Sequence, residues 1–297
     1  MKILLTGANG MLGSAIAEEL SKTNHTLLAT GKGELRHNHL IFNELSNYAS
    51  MDITDEITSK KLIKSFNPDA IIHSAAITQV DDCELNRDHC YSINTAATIE
   101  LISIAKEVNA AFHFISTDFV FSGEEGPYAE TDQTGPVNYY GTTKELAERY
   151  LIQSGLDWSI IRTILLYGRT DQINRSNFIY WVRDNLINNK PIKVVSDQIR
   201  TPTYIPDLVK GIIEAVERKA KGIYHISGDE IMTPYQMALE VARYLELDDQ
   251  LITPVDATTF TQPGMRPQRT GFKIKKAVDE LGYAPTAFKS ALAEIFS

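Results

Sequence analysis

The chain has 297 residues, 43% hydrophobic and 23% charged, with a formal net charge of -9. These proportions describe a globular protein with one large domain, or a main domain and a smaller partner. The acidic balance excludes a general nucleic-acid-binding surface, which needs cations to displace phosphate counterions, and no apolar run is long enough to cross a bilayer.

In chain order, β-rich runs are predicted at 2–6, 26–30, 70–74, 111–116 and 158–162. Amphipathic helices are predicted between them, at 11–22, 60–66, 96–108 and 140–154. Strands alternating with helices imply a parallel sheet covered on both faces, and right-handed crossovers make it a doubly wound α/β Rossmann sheet. The opening run reads as a buried strand and not as a signal peptide.

Beyond Arg162 the pattern loosens. Helices are expected at 177–188, 207–218, 234–245, 274–281 and 288–295, with short strands at 193–195 and 222–226. Residues 1–165 are therefore read as the dinucleotide-binding domain, with later returns near 203–226. Residues 166–202 and 227–297 are read as a smaller, discontinuous substrate-binding lobe. Pro and Gly cluster at 262–269, which reads as an ordered loop over the site or as a plain connector.

The first strand runs into Gly7-Ala8-Asn9-Gly10-Met11-Leu12-Gly13 and then a helix. Gly7 permits a tight turn, Gly10 lets a pyrophosphate reach the backbone, and Gly13 lets the helix lie close to the sheet. The helix N-terminus supplies N–H groups for the anion. Asn9, Met11 and Leu12 belong to the same cofactor-binding turn. No carboxylate ends the second strand to take a ribose 2′-OH. Lys32 and Arg36 stand there instead, and either pair with a 2′-phosphate or are solvated loop cations. NADPH is thus the expected cofactor, with NADH the alternative, since Glu34 is also at hand.

Tyr140 and Lys144 are four residues apart on one predicted helix, so they share a face. A phenol is a poor acid near neutral pH, and a nearby ammonium is expected to lower its pKa. Tyr140 then protonates an alkoxide as hydride reaches a carbonyl carbon. Tyr139 is followed four residues on by Thr143 and reads as a packing residue. A third hydroxyl, to hydrogen-bond the substrate carbonyl, is expected at the end of the 111–116 strand, with Thr117 preferred and Ser116 the alternative. Both hydroxyls also suit a structural turn. Asn94 is a candidate for a water or backbone relay.

Cys83 and Cys90 are the two cysteines. They do not make a disulfide framework, so a reducing, cytoplasmic setting is expected. With His89 they match no zinc spacing, and both are read as ordinary helix residues with no metal site.

Together these segments resemble the extended short-chain dehydrogenase/reductases, where the wider glycine spacing is usual, and within them the dTDP-4-dehydrorhamnose reductases. The resembling pieces are 6–13, 74–81, 116–123, Tyr140 to Lys144, 162–168, 200–203 and Arg266-Pro267. The resemblance implies reduction of the 4-keto group of a nucleotide-sugar by NADPH. It implies that Asp52 and Ile53 meet the adenine and that Ala75 and Ala76 border the ribose. Ser116 also falls on a cofactor position, and Val80 and Asp81 on substrate positions. Arg200 and Arg266 would neutralise the substrate pyrophosphate or form local ion pairs. Phe119 stands where the family has Tyr. A homodimer is the assembly expected of the fold. Competing readings are a related epimerase or dehydratase, and a non-catalytic binding subunit similar to that of methionine adenosyltransferase.

Overall fold

The computed structural model describes residues 1–36, 44, 46–169 and 177–297. The first half alternates as expected. β1 (Lys2–Thr6), α1 (Met11–Ser21), β2 (Thr26–Gly31), β3 (Ser46–Ser50), α2 (Glu56–Phe66) and β4 (Ala70–His73) follow one another. Two short helices, α3 (Val80–Leu85) and α4 (Arg87–Tyr91), precede α5 (Ala97–Glu107), β5 (Ala111–Thr117), α6 (Tyr139–Gln153) and β6 (Trp158–Thr163).

The second half supplies β7 (Leu166–Tyr167), α7 (Phe178–Ile187), β8 (Ile192–Val195), β9 (Thr203–Tyr204), α8 (Ile205–Glu217) and β10 (Gly222–His225). It ends with α9 (Pro234–Tyr244), β11 (Ile252–Val255), α10 (Lys275–Leu281) and α11 (Phe288–Phe296).

Seven strands form one sheet in the order β10-β6-β5-β4-β1-β2-β3, and every pairing in it is parallel. The order reverses at β1, which lies between β4 and β2. Doubly wound sheets bind ligands at such a switch point, beyond the C-terminal strand ends.

Strand side chains alternate between faces, and the two cores follow that alternation. Ile3, Leu5, Leu27, Ala29 and Ile72 pack beneath α1 and α8, against Ile16, Leu208 and Ile212. Leu4, Leu28, Ile71, Phe112 and Phe114 face the other way, against Leu101, Ile104 and Leu151 of α5 and α6. A third core joins Ile179, Val182, Val194, Met237, Val241, Leu292 and Ile295, beside the parallel pair β8–β11.

Two expectations are corrected. α2 begins at Glu56 rather than 60, because the Asp55 side chain accepts from the Thr58 backbone N–H and caps the helix. Cys83 and Cys90 each lie in a helix, as expected, but they are paired as a disulfide. α3 and α4 meet at Asn86 and bring the two Cα atoms to 5.1 Å, within disulfide reach.

Candidate active site

The glycine turn has the form its sequence requires. Gly7 has φ 80, and Gly10 precedes α1 without any side-chain cap. A Cβ on Gly13 would stand 2.1 Å from the Gly7 carbonyl oxygen, so α1 can approach β1 only with glycine there. The first-turn N–H groups, at Met11, Leu12 and Gly13, thus open onto the switch point, a fit for a pyrophosphate.

Asn9 shapes the neighbouring loop. Its amide donates to the carbonyls of Lys32 and Glu34, at 3.3 and 3.0 Å, and its Oδ1 accepts from the Arg36 N–H at 3.0 Å. Tyr48 of β3, which the sequence reading passed over, donates to the carbonyls of Gly31 and Gly33 at 3.0 and 2.7 Å. Lys32 pairs with Asp52 at 2.8 Å, and that ammonium holds the Asp52 carboxyl down at about 2. Ile53 is buried beside it. The Ala75 N–H donates to Thr6 Oγ1 at 3.3 Å, which sets Ala75 and Ala76 at the end of β4.

α6 carries Tyr140 and Lys144 and starts at Asn138, whose Oδ1 accepts from the Gly141 N–H at 2.8 Å. A Cβ on Gly141 would lie 2.0 Å from the Phe119 carbonyl oxygen. This close approach presses the first turn of α6 onto the end of β5. It sets the Tyr140 ring edge-on to Phe119, 6.0 Å between centroids, with the phenol beside the Thr117 hydroxyl. Of the two hydroxyls considered, Thr117 meets Tyr140, while Ser116 Oγ donates to Glu148 at 2.5 Å.

Lys144 is buried on the same helical face. Its ammonium donates to the Ile115 carbonyl at 2.7 Å and lies 3.9 Å from the Phe114 ring centroid. Glu148, one turn further on, is buried and takes two hydrogen bonds from Arg162. Asn94 sits in a π-helical stretch, Ser92–Ala96. Its amide group accepts from the Ile77 N–H at 2.8 Å and donates to the Ile77 carbonyl and Thr143 Oγ1, so it ties the segment after β4 to α6. π-Bulges of this kind recur at functional sites.

The electrostatics differ from the expectation in one respect. Lys144 was expected to lower the Tyr140 pKa. Burial instead pushes the phenol up, opposed by the Thr117 hydroxyl and reinforced by Asp118. The result is a phenol that keeps its proton at neutral pH, as a proton donor must. Burial also lowers Lys144 to about 7, opposed by the Glu148 charge.

A strap from the last part of the chain closes one side. Arg266 pairs with both oxygens of Asp81, and the Gly264 N–H donates to Asp81 Oδ1 at 3.1 Å. Asn138 Nδ2 donates to the Met265 carbonyl at 2.8 Å. Val80 meets Gly264 and packs beside Tyr140. The 262–269 loop is thus bonded to the walls of the site. For Arg200 the structure shows local contacts, the second of the two roles expected for it. It is 4% exposed, and its guanidinium donates to the carbonyls of Ile199, Pro267 and Gln268. It is committed to holding the strap.

A buried phenol, a hydroxyl and an ammonium therefore lie at the C-terminal strand ends beside a glycine turn whose helix start has no side-chain cap. That set suits hydride chemistry at a carbonyl carbon. No helix among the described residues is long and apolar enough to cross a membrane.

Comparison with known proteins agrees with the geometry. The family model described as the RmlD substrate binding domain matches residues 1–297. A dTDP-4-dehydrorhamnose reductase of Mycolicibacterium smegmatis is 29% identical over 96% of this chain and 81% of its own length. Methionine adenosyltransferase 2 subunit beta of Xenopus laevis is 30% identical over 93% of this chain and 82% of its own. The crystal structure of dTDP-4-dehydrorhamnose reductase from Bacillus anthracis in complex with NADP superposes with a TM-score of 0.85 at 27% identity, covering 99% of this chain and 98% of that one.

Proposed function

Because the chain belongs to the RmlD substrate binding domain family, we propose that it is a reductase of dTDP-4-dehydro-L-rhamnose. It reduces the 4-keto group to give dTDP-L-rhamnose, with NADPH as reductant. The observation that carries this reading is the buried Tyr140 phenol at the end of β5, one helical turn from the buried Lys144 ammonium.

When bound, NADPH supplies the hydride that adds to C4. The turn formed by Gly7, Asn9, Gly10, Met11, Leu12 and Gly13 would hold its pyrophosphate. Asp52 and Ile53 would meet the adenine, and Ala75, Ala76 and Ser116 would line the nicotinamide side. As the keto oxygen gains negative charge, Tyr140 gives it the phenol proton. Lys144 stabilises the phenolate that remains and holds the nicotinamide ribose. Thr117 keeps the phenol aligned. Val80 and Asp81 border the sugar. Arg266, at the mouth of the site, supports pyrophosphate binding once it exchanges Asp81 for the substrate. We assign no such role to Arg200.

Lys32 and Arg36 support NADPH over NADH, since a 2′-phosphate would compete with Asp52 for the Lys32 ammonium. Comparing catalytic efficiency with the two cofactors tests this, and a clear NADH preference overturns it. We further read the protein as cytoplasmic, where nucleotide-sugars and NADPH are both supplied, and as a homodimer, which sedimentation would check.

The test of the main reading is NADPH oxidation with dTDP-4-dehydrorhamnose, set against other 4-ketosugars. Faster turnover of another ketosugar moves the substrate assignment. The similarity to methionine adenosyltransferase subunit beta favours one second reading, a regulatory binding subunit. Intact Tyr140, Lys144 and Thr117 speak for catalysis. No NADPH oxidation on any ketosugar, with co-purification of a transferase, would decide for the subunit.

A further inference from the structure

Thr117 Oγ1 has one proton and two lone pairs to place. It accepts from the Phe119 N–H at 3.2 Å and donates to Asp118 Oδ1 at 3.1 Å. The Tyr140 phenol neighbours this same hydroxyl, which works against the burial-driven rise in its pKa. Which way the Thr117 oxygen faces therefore depends on where Asp118 draws its proton.

Asp118 is itself held from the far side. It is 3% exposed, and its Oδ2 accepts from the Thr270 hydroxyl at 2.5 Å and lies 4.0 Å from Arg200 Nε. Arg200 binds the strap through the carbonyls of Pro267 and Gln268, at 2.7 and 3.0 Å. The Thr270 N–H donates to the Ile199 carbonyl at 3.2 Å. A carboxylate buried this deeply is costly unless donors converge on it. Here two hydroxyls and a guanidinium do. One oxygen serves Thr117 and the other serves the strap region, so the side chain links the two.

On the reductase reading above, we propose that Asp118 is a positioning residue. Fixed by Thr270 and Arg200, it holds the Thr117 oxygen in place beside Tyr140, so that the two are aligned only when the strap is seated. Asp118 does not contact the reacting atoms, because both its oxygens are turned to internal partners.

The experiment uses the full chain carrying Asp118→Asn, Thr270→Val, Thr270→Ser, Thr117→Val, or Asp118→Asn with Thr117→Val. Misalignment of a reacting group costs up to about 100-fold in rate, so Asp118→Asn should lower kcat by about 10- to 100-fold. Its KM and its affinity for NADPH should stay within about twofold of the parent, since the loss is in alignment and not in binding. Thr270→Val should show a smaller loss in the same direction, and Thr270→Ser should restore activity. If Asp118 acts through Thr117, the double variant is no slower than Thr117→Val alone. Normal kcat in Asp118→Asn, or losses that multiply in the double variant, overturns the proposal. Should Asp118→Asn fail to fold, the Thr270 pair decides it by the same criteria.

Amide hydrogen exchange gives a readout separate from turnover. Freeing the Thr117 hydroxyl should speed exchange at the Phe119 N–H by at least about tenfold, as expected for loss of a local hydrogen bond. Unchanged exchange in both Asp118→Asn and Thr270→Val overturns the positioning role. A wild-type protein inert on every ketosugar, with exchange responding as described, would sink the reductase reading and leave the Asp118 linkage standing.

Discussion

Arg162 grips Glu148 through two hydrogen bonds, Nε to Oε1 at 3.0 Å and Nη2 to Oε2 at 2.6 Å, one helical turn past Lys144. Both partners are almost wholly buried. Glu148 also takes the Ser116 hydroxyl proton, and its charge works against the burial that lowers Lys144. The pair anchors β6 to α6 beneath the Lys144 ammonium. Removing one partner of a buried ion pair costs about 3–5 kcal/mol, whereas replacing both is often nearly neutral. Arg162→Met should lose stability in that range by urea unfolding, and Arg162→Met with Glu148→Met should recover most of it.

Tyr140→Phe removes one proton donor and leaves the packing against Phe119, whose ring lies edge-on at 6.0 Å between centroids. General acid catalysis contributes about 100- to 10,000-fold, so kcat should fall within that range. NADPH binding, followed by fluorescence, should be unchanged. Near-normal turnover would show that another group delivers the proton.

Gly141→Ala places a methyl group where the Phe119 carbonyl oxygen stands. α6 must then move away from β5, and overpacking of this kind costs about 1–3 kcal/mol. Because the displaced turn carries Tyr140, kcat should fall further than the melting temperature suggests. The comparison is with Thr142→Ala, on the same turn, which should alter neither much.

Lys144 gives the stability a pH dependence of definite sign. Its folded-state value is lowered from 10.5 to about 7 by burial. Below about 7 the ammonium is charged in both states, and the full cost of burying it weighs on the fold. Between about 7 and 10.5 the folded protein releases that proton while the unfolded chain keeps it. The unfolded state then binds more protons, so this contribution to stability rises with pH across that window. Lys144→Met should remove the rise, read as the difference in urea midpoints between about pH 7 and about pH 9.

Much of this was legible from local pattern. Ile3, Leu4 and Leu5 alternate between two cores as a doubly buried strand should, and the turn from Gly7 to Gly13 announces its helix. Tyr140 and Lys144 declare themselves by spacing. What was hidden depends on contacts between distant segments. Nothing near Gly141 reveals that the Phe119 carbonyl is its neighbour. Arg200 looked like an anion ligand because its burial, and the three carbonyls it serves, come from the strap. The Cys83–Cys90 disulfide depended on how two short helices meet, which periodicity does not report. The expected drop in the Tyr140 pKa failed because burial dominates there, while the Lys144 ammonium is turned to the Ile115 carbonyl and the Phe114 ring. The early start of α2 was readable after all, in Asp55 three residues before Thr58.

The bond from Asn138 to the Met265 carbonyl joins the start of α6 to a residue 127 positions later, and Thr270 reaches back 152 positions to Asp118. A growing polypeptide on the ribosome has Thr117, Tyr140 and Lys144 long before it has these two fastenings. On the positioning role proposed for Asp118, a translation product truncated before Met265 would keep the glycine turn and lose both fastenings, and so should bind dinucleotide better than it uses it.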